Sequence, residues 1–301
     1  MFIPPKKIVL TGGSLRCLGH FGALQILEEK GLLKSVKEYV GVSAGALAGF
    51  MMILGYTLDE LHKTVVEFDF TVLQNVHPEL ALEFLNKYGI DTGEQLEKFI
   101  KSLLRIKQYP DTMTFAQWSA QYPKQPRLRC YATNLNKGEI KEFSLEKTPH
   151  TSLVFALRAS MSLPLYFTPV IDPESGHLLV DGGVIHNFPM NFLSKAEREE
   201  SLGISFLYSK QKERPIDDFL GLLTQLYNCG FNPRTYQVQE ENKLRCIVIP
   251  TNEMSAYNFD YPKEFREELI ECGRNAAREF CERYLDLIRE YNRPIRRYSV
   301  S

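Results

Sequence analysis

The sequence predicts an α/β fold built on a mostly parallel sheet, and three observations near its start carry that prediction. A short apolar, β-branched run, Lys6 to Leu10, meets Thr11-Gly12-Gly13 and reads as a buried strand closed by glycines. Residues 19–30 then set Phe21, Leu24, Ile26 and Leu27 on one side of a helix and Glu28, Glu29 and Lys30 on the other, with Gly31 as a stop. A second apolar run, Glu38 to Val42, passes through a sharp turn into an apolar helix from Ala44 to about Leu54. Strand, helix, strand and helix in so short a span is the pattern of crossover-linked parallel strands.

The remaining elements follow in order. Residues 57 to about 118 read as mostly helical and amphipathic, with no strand signal, and form an insert that caps or flanks the sheet. Thr57 with Glu60 and Thr114 with Gln117 have capping-box spacing, and a separate helix starts at Asp91/Thr92 with Leu96, Phe99, Ile100, Leu103 and Leu104 on its apolar face. RLRCYATNL and GEIKEFSL are two strands about a turn at Asn136–Gly138. Residues 153–163 give a helix stopped by Pro164, and HLLVDGG gives a strand running into glycines. GISFLY and LRCIVIP are further strands. A long helix over 263–291 carries Phe265, Leu269, Cys272, Ala276, Phe280, Tyr284 and Leu287 in one stripe. With no repeat, low-complexity tract or linker, the expected organisation is one catalytic domain over 1–250, with its motifs in 8–195, and a C-terminal helical extension over 251–301 packed on it.

Composition narrows the function classes. The chain has 301 residues, 44% hydrophobic and 24% charged, which excludes a disordered protein. Thirty-six basic against 37 acidic side chains leave a net charge of −1, without the basic excess of a nucleic-acid binder. No run approaches the ~18–20 apolar residues of a membrane span. The opening MFIPPKKIVLTGG lacks the apolar core and cleavage site of a signal peptide and reads as mature protein. The six cysteines, at 17, 130, 229, 246, 272 and 281, form no CxxC pair, and the six histidines form no HExxH or HxxxH pattern. Reduced structural thiols, a cytoplasmic location and neither metal nor cofactor are therefore expected.

Three segments carry chemistry. Gly41-Val42-Ser43-Ala44-Gly45 is a GxSxG pentapeptide between a strand and a helix. A serine raised on such a turn takes strained backbone angles, and its neighbours two positions away must be nearly free of side chain. The helix start behind it favours developing negative charge. The nucleophile needs a base. His186 is the last histidine, and the final 115 residues hold none, against the late histidine of a serine–acid–histidine order. Asp181 ends an apolar strand and is followed by Gly182-Gly183, so a carboxylate at a strand's C-terminal end in a parallel sheet is the economical base toward Ser43. His20 reads as a packed helix residue. Gly12-Gly13-Ser14-Leu15-Arg16, at the end of the first strand, offers backbone amides for an oxyanion. A nucleotide-binding loop fits less well, because the spacing is neither GxGxxG nor a P-loop.

In order and spacing, LTGGSLRCLGHFGAL, GVSAG, ASMSLPLYFTPV and LVDGGVIHNFP resemble the patatin-like phospholipase family over roughly residues 8–195. The resemblance implies a three-layer αβα sandwich, a Ser43–Asp181 dyad and metal-independent hydrolysis of acyl lipids. It puts Gly12 and Gly13 on the oxyanion glycines and Arg16 on the family's basic position, while Ser14 and Cys17 stand where glycines are usual. Arg16 is read as bracing the loop in preference to attracting a lipid phosphate. Acyl-lipid substrates imply peripheral, transient contact with a membrane. Two segments suit it: residues 216–231, with Phe219, Leu220, Leu223, Leu226 and Tyr227 on one face, and the tail from Arg289, with Arg293, Arg296 and Arg297 beside Tyr291 and Tyr298. The alternatives are a catalytically weak lipid-binding or scaffold protein, and a small-acyl esterase or thioesterase.

Overall fold

Five strands form the parallel part of the sheet: β1 (Lys7–Leu10), β2 (Glu38–Val42), β4 (Arg127–Asn134), β9 (Ser201–Leu207) and β10 (Cys246–Pro250), in the order β10-β9-β1-β2-β4. Between them come β3 (Gly89–Asp91), β5 (Glu139–Phe143), β6 (Leu165–Phe167), β7 (Val170–Ile171) and β8 (Leu178–Asp181). The structure is a computed structural model and describes residues 4–76, 78–207, 216–251, 254–255 and 257–291.

The helices are α1 (Leu18–Glu29), α2 (Ala44–Ile53), α3 (Leu58–Glu67), α4 (Pro78–Lys87), α5 (Glu94–Ile106), α6 (Phe115–Gln121), α7 (Leu153–Ser160), α8 (Lys195–Glu199), α9 (Phe219–Glu241) and α10 (Lys263–Tyr291). Alternate residues of the strands serve two apolar cores, as the two-residue period of a strand requires. Ile8, Leu10, Tyr39, Cys130 and Ala132 face a large core shared with α1, α2, α3, α5, α7 and α10. Val9, Val40, Val42 and Tyr131 face a second one closed by Phe188, Met190, Leu193 and Val238 of α9. A sheet covered on both faces is the three-layer αβα sandwich that the resemblance implies.

Several local expectations are met. Both capping boxes form, at Thr57/Glu60 and Thr114/Gln117, and α10 spans the expected 263–291. Other boundaries move. The insert contains a strand after all: β3 pairs in parallel with β6, which lies far along the chain. The helix expected to start at Asp91/Thr92 is instead preceded by Gly93 at φ 71°, and the Asp91 carboxylate is buried, accepting from the Gly93 and Asn75 amides. Helix α7 stops at Ser160, ahead of Pro164.

One correction bears on function. Asp181 does end a strand, but β8 runs antiparallel to β4. On one edge, β4 pairs with β5 over Cys130–Asn134. Its other edge must then hold both β2, opposite Arg127–Tyr131, and β8, opposite Ala132–Asn134. The two strands meet head to head along one edge of β4: Val42 lies opposite Tyr131, and Asp181 lies opposite the next residue, Ala132.

Candidate active site

That junction brings Ser43 and Asp181 together. Ser43 follows Val42 and leaves the sheet at φ 54° and ψ −130°, as the residue before α2. Such a backbone costs about 1–3 kcal/mol for a residue with a Cβ and persists only where the surroundings impose it. Here they do. A Cβ on Gly45 would stand 2.5 Å from the Leu10 carbonyl oxygen, and one on Gly41 would stand 2.5 Å from the Ala46 nitrogen, so both elbow glycines are spaces required by a close turn. The Ser43 amide donates to Ser160 Oγ at 2.9 Å, and Ser160 Oγ donates to the Tyr131 carbonyl at 2.7 Å.

The Asp181 side chain is buried, with 1% of the residue exposed. Its Oδ1 accepts from the Gly183 amide at 2.7 Å. Its amide donates to the Ser162 carbonyl at 2.8 Å, and its carbonyl accepts from Thr133 Oγ1 at 3.0 Å. Burial pushes the carboxyl up to about 7, with the nearby Ser43 hydroxyl and the Gly183 amide acting against burial. Gly182 lies against the Tyr131 carbonyl, and Gly183 lies between the Asp181 and Asn187 side chains.

The glycine-rich loop after β1 faces the elbow, since a Cβ on Gly12 would stand 3.0 Å from the Ser43 Cβ. The Gly12 peptide is held at both ends by Asn187: its amide donates to the Asn187 carbonyl at 3.1 Å, and its carbonyl accepts from Asn187 Nδ2 at 2.9 Å. Gly13 precedes a short 3-10 turn over Ser14–Cys17, and Ser14 takes φ 50°, the left-handed conformation that a glycine would adopt more cheaply. Arg16, 5% exposed, donates from its guanidinium to the Met254 carbonyl at 2.6 Å, and its amide donates to the Gly13 carbonyl at 3.0 Å. Its side chain ties the loop to the chain after β10.

His20 and His186 both pack against aromatic rings. His20 is fully buried, its Nε2 paired with the Thr11 carbonyl at 2.8 Å and its ring 4.6 Å from Phe206; burial lowers it to about 4. The His186 ring packs edge-on to Phe192 at 5.3 Å, and burial followed by the Arg234 charge lowers its pKa. Ser160, Ser162 and Asn187 escape sequence reasoning as site residues, although all three lie inside the motif-bearing segments.

Behind the elbow, an apolar cavity of about 50 Å³ separates α1, α2, α3 and α5, with Cys17, Leu47, Met51, Val65, Phe99 and Leu103 among its walls. On α9, Leu223 is buried whereas Phe219, Leu222 and Leu226 are exposed, so the apolar stripe is split between core and surface. The side chains of Leu220, Tyr227 and Tyr291, and the tail from 292 onward with Arg293, Arg296, Arg297 and Tyr298, lie outside the described residues. Among the described residues no helix is long and apolar enough to cross a membrane.

The chain is similar to several known proteins. YqhO of Bacillus subtilis is 26% identical over 298 residues, covering 92% of this chain and 98% of the relative. The "Probable lipid hydrolase 463L" of Invertebrate iridescent virus 6 is 25% identical, over 81% of this chain and 78% of its own length. Human patatin-like phospholipase domain-containing protein 6 is 28% identical over 182 residues, which is 60% of this chain but 12% of that protein. Among solved structures, VipD from Legionella pneumophila superposes with a TM-score of 0.64 over 93% of this chain and 67% of its own, at 18% identity, a likeness of fold. The description "Patatin-like phospholipase" matches residues 8–193, more than half of the sequence and all of the segments that build the junction. By that match the chain belongs to the patatin-like phospholipase family of hydrolases.

Proposed function

We propose that the protein is a metal-independent serine hydrolase of acyl-lipid esters, phospholipids among them, working through a Ser43–Asp181 dyad. The observation that carries this reading is the head-to-head meeting of β2 and β8 on one edge of β4, which makes the strained serine and a buried carboxyl near neighbours. Ser43 Oγ attacks the ester carbonyl carbon as its proton passes to Asp181. The oxyanion is received by the amides of Gly13 and Ser14, because the Gly12 amide is already given to Asn187. Collapse of the intermediate expels the alcohol, which takes the proton from Asp181. Water then attacks the acyl-enzyme, again losing its proton to Asp181, and the carboxylic acid leaves with Ser43 restored. Gly41 and Gly45 allow the elbow, Gly182 and Gly183 let the carboxyl approach, and Arg16 braces the oxyanion loop.

A base with a pKa near 7 is matched to proton transfer at neutral pH. The lipid character rests on the family. The exposed apolar residues of α9 suit a peripheral, transient encounter with a membrane, which flotation with liposomes at low salt checks. Hydrolysis of a medium-chain ester tests the dyad: Ser43→Ala and Asp181→Asn lose several orders of magnitude in kcat, and His186→Ala keeps most activity. A histidine variant that folds and loses activity supports a triad instead.

A further inference from the structure

Residues 158–162 reach both halves of the proposed dyad within a single turn. Ser160, fully buried, accepts from the Ser43 amide and passes a hydrogen bond on to Tyr131, the last residue of β4 opposite β2. Two positions later, the Ser162 carbonyl accepts from the Asp181 amide at 2.8 Å. Neither bond belongs to the sheet ladder. The first residue beyond β2 and the last residue of β8 are thus pinned to alternate positions of one short segment.

Arg158 locks that segment. It is 5% exposed, and its guanidinium donates to Ser162 Oγ, to the Thr92 carbonyl at 2.8 Å and to the Thr168 carbonyl at 3.3 Å, while lying 5.3 Å from the centre of the Phe167 ring. Ser162 Oγ in turn donates to the Arg158 carbonyl at 2.8 Å. Among the described residues no carboxylate forms an ion pair with it; Glu97 and Asp91 act on it at longer range, and burial lowers it to about 10. A Cβ on Gly93 would overlap the guanidinium, so the β3–α5 loop closes directly over it. A buried cation held by neutral acceptors is an expensive way to fill a core. Its planar fork of donors can nonetheless fix three separate chain segments at once, which a compact ammonium cannot.

We infer that the Arg158–Ser162 turn sets the separation of Ser43 and Asp181, with Ser160 and Arg158 as positioning residues that touch neither substrate nor the transferred proton. The inference rests on the dyad reading above. Through Thr92, it also ties the dyad geometry to the insert that carries β3 and α5.

The test compares wild type, Ser160→Ala, Arg158→Lys and Asp181→Asn as full-length chains on p-nitrophenyl octanoate, each first shown to be folded by circular dichroism. Both positioning variants are expected to lose about 10²-fold in kcat, the scale of a misplacement of an ångström, with KM changed less than about threefold. Their acid limb should also move down by about one pH unit, because a loosened junction admits water to Asp181. A merely structural role would lower the melting temperature and leave the pH profile in place. If Ser160→Ala does not fold, Arg158→Lys carries the test. Wild-type kcat and an unmoved limb in folded positioning variants, beside an inactive Asp181→Asn, overturn the inference alone. Full activity in Asp181→Asn overturns the dyad and the inference together.

Discussion

As the proposed base, Asp181 combines its chemistry and its cost in the same group. Its carboxyl titrates near 7 in the folded protein against 3.8 for an ordinary aspartate, so the native state holds a proton that the unfolded chain releases. Stability therefore falls as pH rises from about 4 to about 7 and levels off above, by up to about 1.4 kcal/mol for each pH unit crossed. Asp181→Asn removes that penalty. The variant should melt higher than wild type at pH 8, lose the advantage near pH 4, and be inactive throughout; thermal melts at the two pH values check it. His20 acts in the opposite sense, since its depressed pKa withdraws stability as pH falls from about 6.5 to about 4. His20→Phe should flatten that acid loss, as melts across the same range will read. Ser43, Asp181 and the flanking glycines are legible in the sequence because their constraint is local: a serine at φ 54° needs a strand before it, a helix behind it and no side chains two residues away. Ser160 and Asn187 are not legible, because a serine or asparagine gains its role only from the partner that folding delivers, here Ser43 and Gly12.

At the scale of elements, capping boxes and long amphipathic helices are written in adjacent residues and appear where the pattern puts them. The short strands are not. Three residues of β3 carry too little pattern to announce a strand, and their partner β6 lies about seventy-five residues on. The direction of β8 is likewise a property of the sheet: Leu178–Asp181 reads the same in either sense, and only pairing with β4 decides it. Helix contacts offer a sharper test. Helices α1 and α10 cross where Gly22 and Gly273 meet, and a Cβ on either would overlap a main-chain carbonyl, of Ile270 or of Gly19. Alanine ordinarily favours a helix over glycine by about 1 kcal/mol. Here overpacking against backbone outweighs that gain, so Gly22→Ala should destabilise by about 1–3 kcal/mol, read as a lower urea midpoint.

Across the whole molecule, the two ends of the parallel strands divide the work. At their starting end, Glu38, with 7% of its side chain exposed, takes Arg129 in two 3.0 Å bonds and also pairs with Lys7, while Arg129 reaches Glu197 at 3.1 Å. At their finishing end lie the glycine-rich loop, Ser43 and the β2–β8 junction, the side on which open α/β sheets bind ligands. Removing one member of the buried cluster strands the others, so Glu38→Ala should cost about 3–5 kcal/mol. Its kcat at a temperature where it remains folded should match wild type, because the charge stands at the far end of the strands from the serine. The central claim remains the union of one serine and one carboxyl at that finishing end. Labelling of the intact protein with a fluorophosphonate probe, followed by peptide mass spectrometry, tests it most directly. Ser43 should be modified in wild type and left unmodified in folded Asp181→Asn. A label on another residue, or equal labelling of Ser43 in both proteins, would contradict it.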